Sequence, residues 1–275
     1  MIRALVLPLL LSTAVAPLLA QAPVAIARYE YQGREALGVV DGTTLRELRG
    51  TDLFAKPVPT GRRIPLDRVR LLAPVRPGKV IAVGLNYKSH LGERPSATYP
   101  GLFAKLPTSI IASGDTVVLP ADANNTHYEG EMVLVIGTRA SHVPREQALA
   151  HVFGITAGND VSERDWQRND LQWFRAKASD TFGPLGPWVV TGLNPDDVLV
   201  QTRQNGTVVQ SQRTKDLIFD VATIVSYISN YVTLEPGDVI YTGTPGTTRP
   251  IAPGDVVEVE VEGVGVLRNP VRRAR

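Results

Sequence analysis

One stretch, residues 127–137, constrains the fold more than any other part of the chain. It reads His-Tyr-Glu-Gly-Glu-Met-Val-Leu-Val-Ile-Gly, and its apolar run closed by a glycine predicts a buried strand. Side chains alternate along a strand, so Glu129 and Glu131 would share one face. Two adjacent carboxylates repel each other unless a positive charge lies between them. The pair therefore indicates either a divalent cation that prefers oxygen ligands, such as Mg²⁺ or Mn²⁺, or a strand end where both acids face water.

The composition rules out several kinds of chemistry. The chain has 275 residues and no cysteine, which removes disulfides, thiolate catalysis and cysteine-ligated zinc. Its net charge is +2, without a basic stripe interleaved with aromatic residues, so nothing favours a nucleic-acid partner. The length suits one catalytic domain with a small appendage.

The first 22 residues predict a signal peptide. They combine a basic start at Arg3, an apolar run over residues 4–11, and small residues that offer cleavage after Ala20 or Ala22. Prolines and polar residues interrupt the apolar run, so a permanent membrane anchor is the lesser alternative, and a wrongly assigned start site is another. We therefore expect an exported, periplasmic protein without stable membrane insertion after removal of the signal.

The remaining chain predicts many short strands and few helices, an α+β fold that is rich in β-structure. Residues 23–75 suggest a small β-rich N-terminal region with a connector, and residues 76–275 a catalytic domain. Asn205-Gly206 is a strong hairpin signal, and Asp220 would cap a helix whose apolar residues recur at helical spacing. Pro144 predicts the start of a short helix, and residues 257–262 alternate strictly, as in a strand with one wet face.

Four other segments accompany the carboxylate pair in a fixed order along the chain. They are Gly-Leu-Asn-Tyr-Lys-Ser-His-Leu-Gly-Glu at 84–93, Gly-Asn-Asp-Val-Ser-Glu-Arg-Asp-Trp-Gln at 158–167, Lys-Ala-Ser-Asp-Thr-Phe-Gly-Pro-Leu-Gly-Pro at 177–187 and Thr-Gly-Thr-Pro-Gly at 242–246. Taken with residues 127–137, these segments resemble the fumarylacetoacetate hydrolase family over about residues 76–270. The resemblance implies a distorted β-roll core that forms a homodimer.

The resemblance also implies a metal triad. In enzymes that this chain resembles, the residues matching Glu129, Glu131 and Asp160 bind the divalent cation, here expected to be Mg²⁺ or Mn²⁺. His127 would share a face with the two glutamates if the strand extends that far back. It is either a fourth ligand or a residue at the pocket rim or the surface, and the family places no ligand there.

His90 is the acid–base candidate, because Glu93 lies three residues on and could orient its imidazole from the same helical face. In family hydrolases the matching pair activates the attacking water, and Lys177 matches the family's active-site lysine. The resemblance assigns substrate binding to Lys105, Arg164, Gln167 and Thr244.

One segment departs from the family pattern. After Thr-Gly-Thr-Pro the family usually continues with a Gly-Val-Gly turn, whereas this chain has Gly246-Thr247-Thr248-Arg249-Pro250. The substrate end of the pocket could differ there, and Arg249 could add a cationic contact.

The sequence therefore predicts a metal-dependent hydrolase that cleaves a C–C bond in a β-diketo acid, such as an acylpyruvate. Its partner would be a small oxo-acid substrate. Two alternatives stay open. One is an isomerase, decarboxylase or dehydratase of a 2-oxo acid on the same fold, and the other is an exported, non-catalytic protein that binds carboxylates.

Overall fold

The computed structural model describes residues 22–275, so nearly all of the predicted signal peptide (residues 1–22) lies outside the described residues. The described chain forms strands β1 (Val24–Tyr31), β2 (Arg34–Asp41), β3 (Thr44–Leu48), β4 (Pro59–Pro65), β5 (Arg70–Leu71), β6 (Val80–Gly84), β7 (Gly101–Lys105), β8 (Ile110–Ile111), β9 (Val117–Leu119), β10 (Thr126–His127), β11 (Gly130–Ile136), β12 (Val152–Asn159), β13 (Ser162–Glu163), β14 (Gly183–Thr191), β15 (Leu199–Gln204), β16 (Thr207–Arg213), β17 (Val239–Tyr241), β18 (Val256–Val261) and β19 (Gly265–Arg273). Its α-helices are α1 (Arg164–Asn169), α2 (Phe174–Ala178) and α3 (Val221–Ser229), and 3₁₀ helices cover Leu66–Arg68, Lys88–His90, Pro107–Ser109, Arg145–His151 and Thr214–Asp216.

A large mixed sheet contains twelve strands in the order β4-β3-β2-β1-β14-β12-β11-β17-β6-β7, with β5 beside β1 and β8 beside β14. Most neighbours are antiparallel, and β6 runs parallel to β17. The N-terminal strands join this sheet through β1, where Ile26 lies opposite Val189 of β14. The N-terminal region therefore extends the sheet that carries the carboxylate pair.

A second sheet, in the order β16-β15-β18-β19-β9, packs against β11, β12 and β14 of the first. Apolar side chains of Met132 and Ile155 from the large sheet meet Val200 and Val259 from the second sheet in one buried core. Helix α3 covers the edge of this core. The α+β, β-rich class predicted from the sequence is confirmed.

Several local predictions are confirmed by the structure. Asp220 caps α3 by accepting a hydrogen bond of 2.8 Å from the backbone N–H of Thr223, and the apolar side chains of the helix are buried. Asn205 and Gly206 form the tight turn between β15 and β16, with φ angles of 54° and 81°. Strand β18 alternates between buried and partly exposed residues. The short helix after Pro144 forms as a 3₁₀ helix.

The stretch at residues 127–137 differs from prediction in one respect. It is two strands, β10 and β11, separated by Tyr128 and Glu129. The backbone N–H of Glu129 donates to the side chain of Asn159 at 2.9 Å, and its carbonyl accepts from the N–H of Asp160 at 2.8 Å. These local bonds replace ladder pairing and bring Glu129 beside Asp160. Across residues 22–275, no helix has the length and apolar character needed to span a bilayer.

Candidate active site

Three carboxylates predicted as metal ligands meet at one end of β11 and β12. Glu129 directly precedes β11, Glu131 is its second residue, and Asp160 directly follows β12. The two strands are antiparallel, with Glu131 opposite Gly158, so the chain ends that carry the acids adjoin. The side chains are 5%, 2% and 1% exposed, and one oxygen from each lies within 4.8 Å of the other two. The carboxylates of Glu129 and Glu131 therefore lie on the same side of the chain, as the sequence predicted.

The glycine between the two glutamates is required by close packing. A Cβ atom at Gly130 would lie 1.9 Å from the hydroxyl oxygen of Thr202 on β15. A side chain there would push the second sheet away from β11. The Glu-Gly-Glu sequence thus lets the two sheets approach while both carboxylates turn to the other side.

Two buried ammonium groups support the carboxylates. Lys177, on α2, donates to Glu129 at 2.7 Å and to Asp160 at 2.6 Å. Lys105, the last residue of β7, donates to the other oxygen of Asp160 at 2.6 Å and to the backbone carbonyl of Lys177. Glu129 and Asp160 are therefore both paired with a cation, whereas Glu131 accepts from the backbone N–H of Gly243 at 2.6 Å.

The electrostatics of the triad are uneven. Burial raises the pKa of Glu131, and the negative charges of Asp160 and Glu129 raise this pKa further. Burial would also raise the pKa of Glu129, but the positive charges of Arg164 and Lys177 outweigh it and hold that pKa well below its usual value. Glu131 is thus the acid of the triad whose negative charge the protein compensates least. A divalent cation that prefers oxygen ligands would compensate this charge, and the close, buried carboxylate oxygens fit such an ion.

A cavity of about 870 Å³ opens over the triad. Glu129, Glu131 and Lys177 form its base, and Phe103 and Trp173 give one wall an aromatic surface. The other walls are polar and come from three segments. They include Ser89, His90, Glu93 and Arg94; Arg164, Gln167 and Arg168; and Thr244, Gly246, Thr247 and Thr248.

The structure places His90 over the triad but does not pair it with Glu93. Its Nε2 lies 3.5 Å from a carboxylate oxygen of Glu129, and its Nδ1 lies 2.5 Å from the carbonyl oxygen of Gly246. Glu93 is exposed at the cavity wall, and none of the hydrogen bonds in residues 22–275 joins it to His90. The short 3₁₀ helix ends at His90, and Gly92 turns the chain with φ of 61°, so the expected helical face is not continued.

Arg164 and Gln167 lie together at the cavity wall, on α1. The guanidinium of Arg164 donates to Glu129 at 2.5 Å, to Gln167 at 2.8 Å and to the hydroxyl of Thr248 at 2.9 Å. Glu163 fixes the start of this helix by accepting from the backbone N–H of Trp166 at 2.7 Å. The two predicted substrate-binding residues are therefore held in one rigid arrangement.

Two other predicted substrate-binding residues are engaged with the protein. Lys105 lies behind the triad and outside the cavity lining, because its ammonium is taken up by Asp160 and a backbone carbonyl. Thr244 does line the cavity, but its hydroxyl donates to the carbonyl of Gly130 and accepts from Gln210, both at 2.9 Å. Substrate contact by Lys105 is therefore not supported by this arrangement, and Thr244 would act through its backbone.

His127 lies outside the carboxylate triad and takes part in a hydrogen-bond chain. Burial and the nearby positive charge of Arg164 lower the pKa of His127 to about 4, so the ring is neutral. Its Nε2 faces the side-chain oxygen of Asn125, and its Nδ1 faces the hydroxyl of Thr248, each at 2.9 Å. These partners leave the ring no nitrogen for a metal, so His127 is not placed as a fourth ligand, and it lies behind Thr248, outside the cavity lining.

The expected contact from Arg249 is wrong. Arg249 is exposed and outside the cavity lining, and Thr247 and Thr248 line the cavity instead. Sequence reasoning missed the roles of Ser89 and Thr248. The departure from the family's Gly-Val-Gly turn was the available signal for Thr248, whereas no local pattern distinguishes Ser89.

Comparison with known proteins identifies the family. The domain family described as "Fumarylacetoacetate (FAA) hydrolase C-terminal" matches residues 79–272, and "Rv2993c-like, N-terminal" matches residues 25–74. "Protein Rv2993c" of Mycobacterium tuberculosis is 47% identical over 86% of this chain and 91% of its own length. Human "Oxaloacetate tautomerase FAHD2A, mitochondrial" is 42% identical over 76% of this chain and 71% of its own length.

Solved structures give the same result. The 2-hydroxyhepta-2,4-diene-1,7-dioate isomerase of Mycobacterium marinum superposes with a TM-score of 0.85 at 42% identity, covering 91% of this chain and 98% of that chain. Maleylpyruvate hydrolase of Sphingobium sp. SYK-6, in complex with manganese(II) and pyruvate, superposes with a TM-score of 0.78 at 29% identity, covering 91% and 100%. The chain therefore belongs to the fumarylacetoacetate hydrolase family, which includes hydrolases, isomerases and tautomerases, and it has the fold of that family.

The comparisons also correct the expected location. Export to the periplasm was predicted from residues 1–22, but the relatives include an enzyme named as mitochondrial, and none of those named above is described as exported. The prediction of an exported, periplasmic protein is wrong.

Proposed function

We propose that the protein is a divalent-cation-dependent hydrolase that cleaves the C–C bond of a β-diketo acid of the acylpyruvate type. The observation that carries this proposal is the buried triad of Glu129, Glu131 and Asp160 at the base of a cavity that His90 overhangs. The triad would hold Mg²⁺ or Mn²⁺, which supplies Lewis-acid stabilisation of negative charge on the oxo acid. A general base beside such a centre is the arrangement that hydrolysis needs.

The chain's own residues supply the other parts of the reaction. His90 would take a proton from water, whose oxygen then attacks the distal carbonyl. The C–C bond then breaks with its electron pair going to the pyruvate enolate, and the proton held by His90 passes to the enolate carbon, giving a carboxylic acid and pyruvate. Arg164 and Gln167 would orient the substrate's carboxylate, because charge-assisted bonds from a guanidinium hold planar anions well. Negative charges of Asp160 and Glu129 outweigh burial and raise the pKa of Lys177, which keeps its ammonium charged. Lys177 would thereby stabilise the negative charge that develops as the bond breaks.

A second candidate is isomerisation or tautomerisation of a 2-oxo acid at the same site. Two observations favour it. The similar proteins include an enzyme named as an oxaloacetate tautomerase and one named as an isomerase. In addition, Glu93 does not contact His90, so the predicted water-activating pair is not assembled in this structure. Such a reaction would require proton transfer without attack by water.

Product analysis separates the two candidates. The protein, loaded with Mn²⁺ or Mg²⁺, is incubated with a panel of acylpyruvates and with oxaloacetate, and products are identified by mass. We expect pyruvate and the matching carboxylic acid from at least one acylpyruvate. Loss of enol absorbance without any new mass would instead support tautomerisation. Glu131→Gln, which should lose the metal, is the control for catalysis by contaminating enzymes.

The homodimer implied by the family resemblance is part of this proposal. Large apolar side chains lie exposed on the segment around α2, where Leu171 is 96% and Phe174 is 65% exposed. Covering them would bury apolar surface that is otherwise in contact with water. Sedimentation equilibrium tests this point: we expect twice the chain mass of 29.8 kDa, and a monomer at micromolar concentration would contradict the proposal.

A further inference from the structure

His90 and its neighbour Ser89 are both attached to one residue of the turn that departs from the family pattern. The hydroxyl of Ser89 accepts from the backbone N–H of Gly246 at 3.0 Å and donates to the side chain of Gln212 at 2.6 Å. Nδ1 of His90 lies 2.5 Å from the carbonyl oxygen of the same Gly246. We call these three residues, Ser89, His90 and Gly246, the Gly246 clasp.

The clasp determines which nitrogen of His90 faces the cavity. A carbonyl oxygen can only accept a hydrogen bond, so Nδ1 must be the donor in this contact. In a neutral imidazole the proton is then on Nδ1, and Nε2 keeps its lone pair. Nε2 is the atom directed toward Glu129, at 3.5 Å, which is longer than a hydrogen bond. The ring is thus presented with its basic nitrogen toward the triad.

The segment leading to the clasp is anchored as well. Asn86 is fully buried, and its side chain donates to the carbonyls of Thr242 at 2.8 Å and Phe219 at 3.1 Å while accepting from the N–H of Phe219 at 2.8 Å. It holds the preceding Leu85 at φ of 57°, a conformation that leucine rarely adopts. Asn86 and Tyr87 are therefore buried and fixed, and the chain becomes exposed at Lys88 and Ser89.

We propose that the Gly246 clasp positions His90 for catalysis, with Ser89 and Gly246 as positioning residues. This inference rests on the proposed role of His90 as the base. The clasp holds the imidazole in place without a carboxylate partner. It also assigns a role to Gly246 in the turn where this chain departs from the family's usual sequence.

Kinetics of paired variants test the clasp. Ser89→Ala removes the acceptor for the Gly246 N–H, and Gly246→Val disfavours the left-handed φ of 63°. Each should lower kcat by about 10- to 100-fold with a much smaller change in KM, as expected for a displaced catalytic group. Ser89→Thr keeps the hydroxyl, and Gly246→Asn tolerates positive φ at similar volume, so both should restore most of kcat. A Cβ at Gly246 meets no atom within 4 Å, so collision with the protein would not explain a loss.

A control variant completes the comparison. Ser211→Ala removes another exposed serine hydroxyl, one that accepts from Gln201 at 3.2 Å away from the cavity, and should leave kcat unchanged. Wild-type kcat in either Ser89→Ala or Gly246→Val would overturn the inference.

An independent measurement separates this inference from the proposed function. The chain has four histidines, so long-range ¹H–¹⁵N spectra of ¹⁵N-histidine-labelled protein are simple, and His90→Ala identifies the His90 signals. We expect neutral His90 to be protonated at Nδ1 in the wild type and to lose this preference in Ser89→Ala. Neutral His90 protonated at Nε2 would overturn the clasp. This result stands whether or not any acylpyruvate is hydrolysed.

Discussion

Replacement of Glu131 by glutamine should make the metal-free protein more stable while removing its metal site. Glu131 is buried beside Glu129 and Asp160, and its main favourable contact is the N–H of Gly243 at 2.6 Å. One oxygen of each acid lies within 4.8 Å of the other two, and at that distance two unit charges in an effective dielectric constant of about 20 repel by about 3.5 kcal/mol. The ammonium of Lys177 offsets part of this repulsion, so we expect a net gain of about 1–3 kcal/mol in the free energy of unfolding.

The sign of the pH dependence follows from the pKa of Glu131. Burial and the charges of Asp160 and Glu129 raise this pKa, so the folded, metal-free protein binds the proton more tightly than the unfolded chain does. The stability that comes from the protonated group is therefore lost as the pH rises through the folded-state pKa. Glutamine has no proton to lose, so the advantage of Glu131→Gln should grow with rising pH.

Urea denaturation in excess chelator, repeated across pH, measures this difference, and calorimetric titration with Mn²⁺ measures the metal site. Glu260→Gln is the matched control, because Glu260 is a partly exposed glutamate paired with Arg203 at 2.6 Å on the second sheet. It should change stability by less than about 1 kcal/mol and leave Mn²⁺ binding intact. A destabilised Glu131→Gln protein that still binds Mn²⁺ like the wild type would refute this reasoning.

Three further predictions follow from the same contacts. Because the pKa of Glu131 is raised by burial and by its acidic neighbours, Mn²⁺ binding should release protons, so that the calorimetric enthalpy differs between buffers of different ionisation enthalpy; equal enthalpies would contradict this. Lys177→Met should lower the stability of the metal-free protein by about 3–5 kcal/mol, measured by urea denaturation, and saturating Mn²⁺ should recover part of the loss. Thr248→Val leaves Arg164 and His127 without their shared hydroxyl and should lower kcat/KM by about tenfold in steady-state assays, whereas Thr248→Ser should not.

Local features of the fold could be predicted from the sequence because they depend on neighbouring residues. The helix after Asp220 and the hairpin at Asn205-Gly206 follow from capping and turn chemistry within a few positions. The pairing of β1 with β14 could not be predicted, since it joins residues such as Ile26 and Val189 that are far apart in sequence. Register between such strands depends on packing of the whole sheet.

The candidate site also has some features that the local sequence predicts and others that depend on tertiary contacts. The pairing of the Glu129 and Glu131 carboxylates was predictable from strand alternation, even though β11 begins only at Gly130 and leaves Glu129 outside the strand. The pairing of His90 with Glu93 assumed a continuing helix, and the left-handed Gly92 ends it. The contact between His90 and Gly246 joins residues that are 156 positions apart, so no local sequence pattern predicts it.

The central claim is that water attack, with His90 as the base, is the reaction at this site. The most direct test is steady-state turnover of an acylpyruvate by His90→Ala at saturating metal, alongside Mn²⁺ titration of the same variant. The account predicts a kcat lower by about 10²–10⁴-fold, the usual size of a general-base effect, with a much smaller change in KM and unchanged Mn²⁺ affinity. Near wild-type turnover by His90→Ala would contradict hydrolysis through this residue.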